Sequence, residues 1–184
     1  MQNVRVFFEK TGMTKYISHL DLMRCMTRAI KRAAIPAWYT EGFNPHLFIT
    51  FALPLTLGVE SLCESMDIRL TEEMGFEEVK NRLNVNLPDG IRITNVAVPV
   101  YKANDIAFAE YKITFHTRKN EKIKNEIEEK LLCDELLAEK MGKQGKRKVL
   151  KTINLKEFVN SYSVISLNDK TVLTAVLTAG SKNN

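Results

Sequence analysis

The sequence of 184 residues lacks long apolar runs and contains only three cysteines and three histidines. No stretch of about eighteen consecutive apolar residues is present, so a membrane-spanning helix is not expected. The cysteines and histidines are far apart and form no CxxC or HxxxH pair, which argues against a metal site. No GxGxxG or Walker motif is present, which argues against a nucleotide-binding loop. We therefore expect no cofactor, no metal and no membrane partner, and the cysteine pattern favours a reducing cytoplasm.

Positive charge is concentrated in the second half of the chain. The formal net charge is +5. Residues 1–99 contain 11 Lys and Arg and 11 Asp and Glu, whereas residues 100–184 contain 16 and 11. A polyanionic partner would therefore be attracted most strongly to the second half.

The first 99 residues alternate between the periodicities of strands and helices. The helical period is clearest after Ser18, which forms an S-x-x-D cap with Asp21, and it stops before Pro36. The predicted segments are, in order, a strand at 4–9, this helix, strands at 47–53 and 66–71, a helix around 76–83 and a strand at 91–98. This order predicts a ferredoxin-like βαββαβ domain over residues 1–99, in which two helices cover one face of a four-stranded antiparallel sheet.

A second, weaker copy of this pattern follows. Residues 100–106 are predicted to be a linker, and residues 107–184 a second, basic α+β unit. Its predicted elements are a strand around 109–115, a helix around 123–131, a strand at 146–153, a helical turn at Phe158 and strands at 163–167 and 171–178. A closing helix and strand are missing from the pattern. The chain is therefore predicted to be α+β, with tandem ferredoxin-like (split βαβ) units and antiparallel sheets, the second unit incomplete or altered.

The predicted topology brings one group of polar residues to the sheet edge where the first helix begins. These candidate binding residues are Lys15, Tyr16, His19, Glu60 and Glu64. A histidine beside a carboxylate is a candidate general base or ligand. The alternative is that the His19 ring covers the sheet edge in its neutral form, near the positive end of the helix dipole.

The turn "GFNPH" is predicted at the opposite edge of the sheet, about 20 Å from His19 if the intervening strand has seven residues. Its candidate binding residues are Phe43, Asn44 and His46. Asparagine and proline shape a turn, and an imidazole can tie the loop to the strand through two hydrogen bonds. We interpret His46 as such a pin, beside the basic end of the first helix, rather than as a catalytic base.

Two basic surfaces are candidate sites for a polyanion. On the first helix, Arg24, Arg28 and Arg32 fall on the face opposite the apolar one. The other surface is "KMGKQGKRKVLK" at 140–151, which holds six basic residues and no acid. Its candidate binding residues are Lys143, Lys146, Arg147 and Lys148. Charge runs often only solvate a surface, so nucleic-acid contact and a solvated surface both stay open.

Four segments in one order resemble a known bacterial family. They are "KYISHLDLMR" (15–24), "RAIKRAAIP" (28–36), "GFNPHLFITFALPL" (42–55) and "GVESLCESMDIRL" (58–70). Together they resemble the radical-SAM-linked protein family, a domain of unknown function found beside, or fused to, a cobalamin-binding radical SAM protein. The resemblance implies a radical SAM protein as partner. It also implies work linked to RNA or the ribosome, because RNA-processing enzymes and ribosomal proteins tend to be encoded nearby.

We therefore expect a non-catalytic accessory protein of a radical SAM enzyme that binds RNA or a ribosomal component. One alternative is a metal-independent endoribonuclease with His19 as base and Lys15 or Tyr16 stabilising charge, because tandem ferredoxin-like folds with a lone histidine resemble CRISPR repeat-processing nucleases. Another alternative is a protein-docking scaffold whose surface is formed by residues 15–70.

Overall fold

The computed structural model describes residues 1–145 and 147–180. These residues form three α-helices and nine β-strands, and every strand pair is antiparallel. The predicted α+β class is confirmed. The chain divides into two compact units between Ile106 and Ala107. No helix within the described ranges is long and apolar enough to cross a membrane.

The first unit has the ferredoxin-like arrangement. Its elements are β1 (Gln2–Lys10), a 3-10 helix (Gly12–Tyr16), α1 (His19–Arg32), β2 (Ile49–Phe51), β3 (Ser61–Leu70), α2 (Phe76–Asn86) and β4 (Ile91–Ala97). The sheet order is β2-β3-β1-β4. Two helices and four strands in this order are a split βαβ fold.

The core of the first unit lies between the sheet and its helices. Val4, Val6 and Phe8 alternate with less buried residues along β1 and are fully buried, as a strand covered on one face requires. α1 starts at the predicted position, because the Ser18 hydroxyl accepts a hydrogen bond of 3.1 Å from the Asp21 N–H. The buried residues that the helices contribute are Leu22, Met26, Ala29 and Ile30 of α1 and Val79 and Leu83 of α2.

β2 is shorter than the seven residues expected from its alternation. It pairs with β3 only over Ile49–Phe51. Just before it, the edge of β3 is taken by Trp38, whose N–H donates to the Arg69 carbonyl over 2.8 Å. Phe48 therefore donates its N–H to Trp38 rather than to β3, over 3.1 Å.

The second unit contains the first four elements of the ferredoxin-like arrangement and an additional two-stranded ribbon. Its elements are β5 (Phe108–His116), α3 (Asn120–Leu132), β6 (Leu137–Gln144), β7 (Arg147–Asn154), a 3-10 helix (Leu155–Phe158), β8 (Val159–Leu167) and β9 (Lys170–Thr178). The sheet order β5-β9-β8 matches β1-β3-β2 of the first unit, with α3 in the place of α1. Strands β6 and β7 form a separate two-stranded ribbon between α3 and β8. Within the described ranges, the second unit has no counterpart of α2 and β4.

In the second unit, hydrogen bonds connect the start of α3 to the sheet. The Asn120 amide donates to the carbonyls of Leu167 and Asn168 over 2.7 and 2.9 Å. The buried Thr171 hydroxyl donates to the Asn120 carbonyl over 3.0 Å. These bonds tie the helix to the turn between β8 and β9, as satisfied buried polar groups do.

Candidate functional site

The predicted edge cluster forms around the 3-10 helix of the first unit. Lys15 Nζ donates to Glu60 Oε1 over 3.1 Å, and the Gly58 N–H donates to the Lys15 carbonyl over 2.8 Å. The ammonium also lies 5.4 Å from the centre of the exposed Tyr16 ring. The hydrogen bond to Glu60 raises the pKa of Lys15. The structure thus brings together Lys15, Tyr16 and Glu60. Lys15 and Glu60 form an ion pair with each other, and the Tyr16 ring lies beside it.

His19 lies beside this cluster without joining it. It is the first residue of α1, and its ring lies edge-on to Phe51, with 5.1 Å between ring centroids. Its Nδ1 is buried and has no hydrogen-bond partner among the described residues. A catalytic imidazole is usually oriented by an acid or carbonyl on one nitrogen. The described structure gives His19 no such group.

Two ionisable residues near the same edge are less exposed to solvent than the sequence indicated. Lys10 ends β1 on the face of Phe8 and is only 1% exposed. Glu64 was expected in the turn between β2 and β3, but it lies within β3, opposite Phe8. Burial lowers the pKa of Lys10 and raises the pKa of Glu64, while a Ser61 hydrogen bond and the Lys10 charge act on Glu64 in the opposite direction.

Lys10 was missed as a candidate, although the sequence contains a signal for it. Val4, Val6 and Phe8 set the inward parity of β1, and Lys10 continues it. Its Nζ reaches the Lys15 carbonyl over 3.5 Å, a long contact. No carboxylate in the described ranges lies within ion-pair distance of this ammonium. Lys10 is therefore a nearly unpaired buried cation.

The arginines of α1 line an open groove. The cavity has a volume of about 760 Å³ and is bounded on its other side by the end of α2 and Pro88. Arg24 is paired with Asp21 over 2.9 Å, and Arg32 donates to the Asn86 carbonyl over 2.6 Å. Arg28, between them, has no ion-pair partner among the described residues. Judged on the described residues, the groove therefore offers the guanidinium of Arg28 to an anion.

The "GFNPH" turn is held by its histidine. The Nδ1 of His46 lies 3.0 Å from the Thr40 hydroxyl and 3.2 Å from the Asn44 carbonyl oxygen. The His46 N–H also donates to the Thr40 hydroxyl over 3.1 Å. At the tip, Phe43 is fully exposed. His46 is thus placed to fix the loop, and the Phe43 ring is presented to solvent.

The basic segment of the second unit forms the β6–β7 ribbon. The sequence predicts only one strand here, at 146–153, because β6 has little apolar alternation. In the register of the ribbon, Lys140 lies opposite Lys151 and Lys143 opposite Lys148. Arg147 and Lys148 are exposed, and Lys146 lies outside the described residues.

No three His, Cys, Asp or Glu side chains within 1–145 and 147–180 form a group that could hold a metal ion. The model of a protein family described as "Uncharacterized protein conserved in bacteria (DUF2344)" matches residues 3–184. No curated protein matches the chain.

Proposed function

The chain belongs to this DUF2344 family of bacterial proteins, and on that premise we propose that it is a non-catalytic accessory protein of a radical SAM enzyme. We propose further that it binds RNA or a ribosomal component through the β6–β7 ribbon. The radical SAM partner is supported by the four motifs of residues 15–70 alone. The RNA partner is supported by the geometry of the ribbon.

One observation carries the RNA proposal: Lys140 lies directly opposite Lys151 in the ribbon. Directly opposite residues of an antiparallel pair have Cβ atoms about 5 Å apart, and like charges there are destabilising. A two-stranded ribbon is only marginally stable on its own. The Lys151 side chain lies over Gly142, on the same face as Lys140, and a phosphate group bound by both lysines offsets this repulsion, which makes a polyanion the partner that fits.

The composition of the ribbon favours contact with phosphates over contact with bases. Residues 137–154 contain no Phe, Tyr or Trp. Aromatic rings are the usual platforms on which unpaired bases stack, and lysines mainly bind the phosphate backbone. We therefore expect weak sequence preference and a steep dependence of affinity on salt.

The surroundings of His19 favour a binding role over the nuclease alternative. A general base needs a nitrogen within hydrogen-bond reach of the proton it removes. The His19 Nδ1 is buried with no hydrogen-bond partner in the described part of the chain, and Lys15 is engaged by Glu60. The proposed function therefore assigns no catalytic residue.

RNA binding is tested by filter binding with total bacterial RNA at increasing salt. We expect the Lys140→Gln/Lys151→Gln variant to lose affinity on the order of tenfold and to show a salt slope reduced by about two. Lys122→Gln/Lys130→Gln is the matched control, because it removes two exposed charges from α3. Absence of binding at low salt by the folded protein, or equal losses in both variants, would contradict the proposal.

The enzyme partner is tested by co-purification of the tagged protein with the radical SAM protein from the same cells. Association that survives RNase treatment supports direct contact. If the two proteins do not co-purify with or without RNase, the accessory role is wrong.

A further inference from the structure

Among the described strands, the second unit leaves one sheet edge unpaired where the first unit has a fourth strand. In the first unit, β4 covers the edge of β1, with Val6 opposite Val96 and Lys10 opposite Ile91. In the second unit, β5 occupies the place of β1 and pairs with β9 alone among the described strands. A free edge presents unpaired N–H and C=O groups that can accept another strand.

The apolar side of β5 is only partly covered, because Ala109, Tyr111 and Phe115 are half-buried. Along this strand Ala109, Tyr111, Ile113 and Phe115 share one face, and Ile113 is 45% exposed. The first unit buries the corresponding side of β1 completely, whereas none of these four residues of β5 is fully buried. The free edge therefore adjoins an apolar surface of the kind that marks an interaction site.

The sequence of β5 is complementary to itself. Glu110 and Lys112 flank Tyr111 and project from the polar face. If two copies pair antiparallel with Tyr111 opposite Tyr111, each Glu110 lies opposite Lys112 of the second copy. Ile113 then lies opposite Ala109 on the apolar face.

The neighbouring registers, shifted by one or two residues, lack this match. A shift of two residues places Lys112 opposite Lys112 or Glu110 opposite Glu110, and like charges in these positions are unfavourable. A shift of one residue sends the apolar rows of the two copies to opposite faces of the sheet. The other free edge, β8 (Val159–Leu167), carries no charged residue and so offers no such pairing.

We infer that β5 is the surface through which two copies of this chain associate, by antiparallel pairing about a two-fold axis at Tyr111. The two three-stranded sheets then form one six-stranded sheet. A two-fold interface requires a surface that is complementary to itself. β5 meets this requirement in its charges and in the alignment of its apolar face. The inference does not depend on RNA binding.

Charge exchange tests the register, with dimer dissociation measured by analytical ultracentrifugation. We expect Lys112→Glu and Glu110→Lys each to weaken the dimer about tenfold, because each converts two attractive cross-strand pairs into repulsive ones. The double variant Glu110→Lys/Lys112→Glu restores both pairs and should regain the original affinity. Lys130→Glu makes the same charge change as Lys112→Glu on α3 and should leave the dimer unchanged.

Disulfide trapping tests the axis independently of affinity. In a background with Cys25→Ala, Cys63→Ser and Cys133→Ser, Tyr111→Cys should form an intermolecular disulfide, because residues opposite one another are close enough to be bridged. Ile113→Cys should not form this disulfide. In the proposed register, residue 113 lies opposite residue 109 of the second copy, four residues away from the substituted position in that copy.

Three results would overturn the inference. They are a protein that stays monomeric at all concentrations, a dimer that is insensitive to the charge reversals, and a disulfide that forms through Ile113→Cys but not through Tyr111→Cys. If the protein is monomeric and β5 instead pairs with a strand of another protein, the inference is also wrong.

Discussion

The ammonium of Lys10 lies 3.5 Å from the carbonyl oxygen of Lys15, and this long contact is its one hydrogen bond among the described residues. Lys10 is 1% exposed and sits at the end of a strand whose other inward residues are apolar. Burying a charge without a contacting counter-ion is costly. The charge of Glu64 offsets only part of this cost, because the net pKa of Lys10 is still lowered by burial, so this position weakens the fold of the first unit.

Lys10→Met is expected to stabilise the protein. Methionine keeps the length and apolar stem of the side chain and removes the buried charge, so the free energy of unfolding should rise by about 1 kcal/mol or more. Urea unfolding at neutral pH measures the change. The control is Lys31→Met on the exposed face of α1, which should change stability by no more than about 0.5 kcal/mol. A destabilised Lys10→Met protein would show that the contact with Lys15 outweighs the burial of charge.

Glu64 is expected to make stability fall as pH rises. Burial raises the pKa of this carboxyl in the folded protein above its ordinary value of 4.5. The folded state therefore holds the proton more tightly than the unfolded state, and this contribution is complete below the unfolded pKa and is lost as pH rises through the folded pKa. Glu64→Gln should match the wild type at low pH and be more stable above that window. Urea unfolding from pH 4 to pH 8 tests the sign, and a gap that closes with rising pH would contradict it.

Two ion pairs of the first unit should differ in their contribution to stability. Arg5 binds Asp67 through two hydrogen bonds of 2.7 and 2.8 Å, and the Arg5 side chain is 11% exposed. The Lys15–Glu60 pair is single and more exposed. Asp67→Asn leaves a largely buried guanidinium without its anion and should cost about 2 kcal/mol, whereas Glu60→Gln breaks a solvent-screened pair and should cost much less. Equal losses in thermal or urea unfolding would show that burial does not distinguish the pairs.

The "GFNPH" turn should separate stability from partner binding. His46→Ala removes the contacts with Thr40 and Asn44 and should lower the free energy of unfolding by about 1 kcal/mol. Phe43 is fully exposed, so Phe43→Ala should leave the unfolding midpoint unchanged. If the turn contacts the radical SAM protein, Phe43→Ala should nevertheless reduce co-purification. Reduced stability in Phe43→Ala would indicate that the ring packs against its own chain.

Local sequence signals located the elements that depend on local interactions. The cap formed by Ser18 and Asp21 fixes the start of α1, and the alternation of Val4, Val6 and Phe8 fixes the inward face of β1. The length of β2 could not be read in this way, because it depends on Trp38, a distant residue that occupies the edge of β3. The depth of Glu64 likewise depends on its pairing with β1, which no local pattern reveals.

The candidate residues were likewise predicted only where local sequence patterns or the order of strands determine their position. The contact of Lys15 with Glu60 followed from the order of strands, because the topology alone brings the two connections together. Lys10 was overlooked because a lysine at a strand end is normally solvated, and only its parity with Phe8 indicates burial. The opposition of Lys140 and Lys151 required the register of a ribbon whose first strand has almost no apolar alternation.

Lys140→Glu should stabilise the ribbon and weaken RNA binding at once. A glutamate opposite Lys151 replaces a repulsive cross-strand pair with an attractive one, which should stabilise the ribbon by about 0.5–1 kcal/mol and slow amide hydrogen exchange in β6 and β7. The same change removes a phosphate-binding charge and adds an acid, so affinity for RNA should fall and the salt slope should decrease. Lys122→Glu, the control on α3, should alter neither ribbon exchange nor binding to a comparable degree. Opposite effects on stability and affinity are expected only if the lysine pair is kept for a polyanion. If Lys140→Glu slows exchange but leaves RNA affinity equal to that of the control, the ribbon is not the RNA-binding surface.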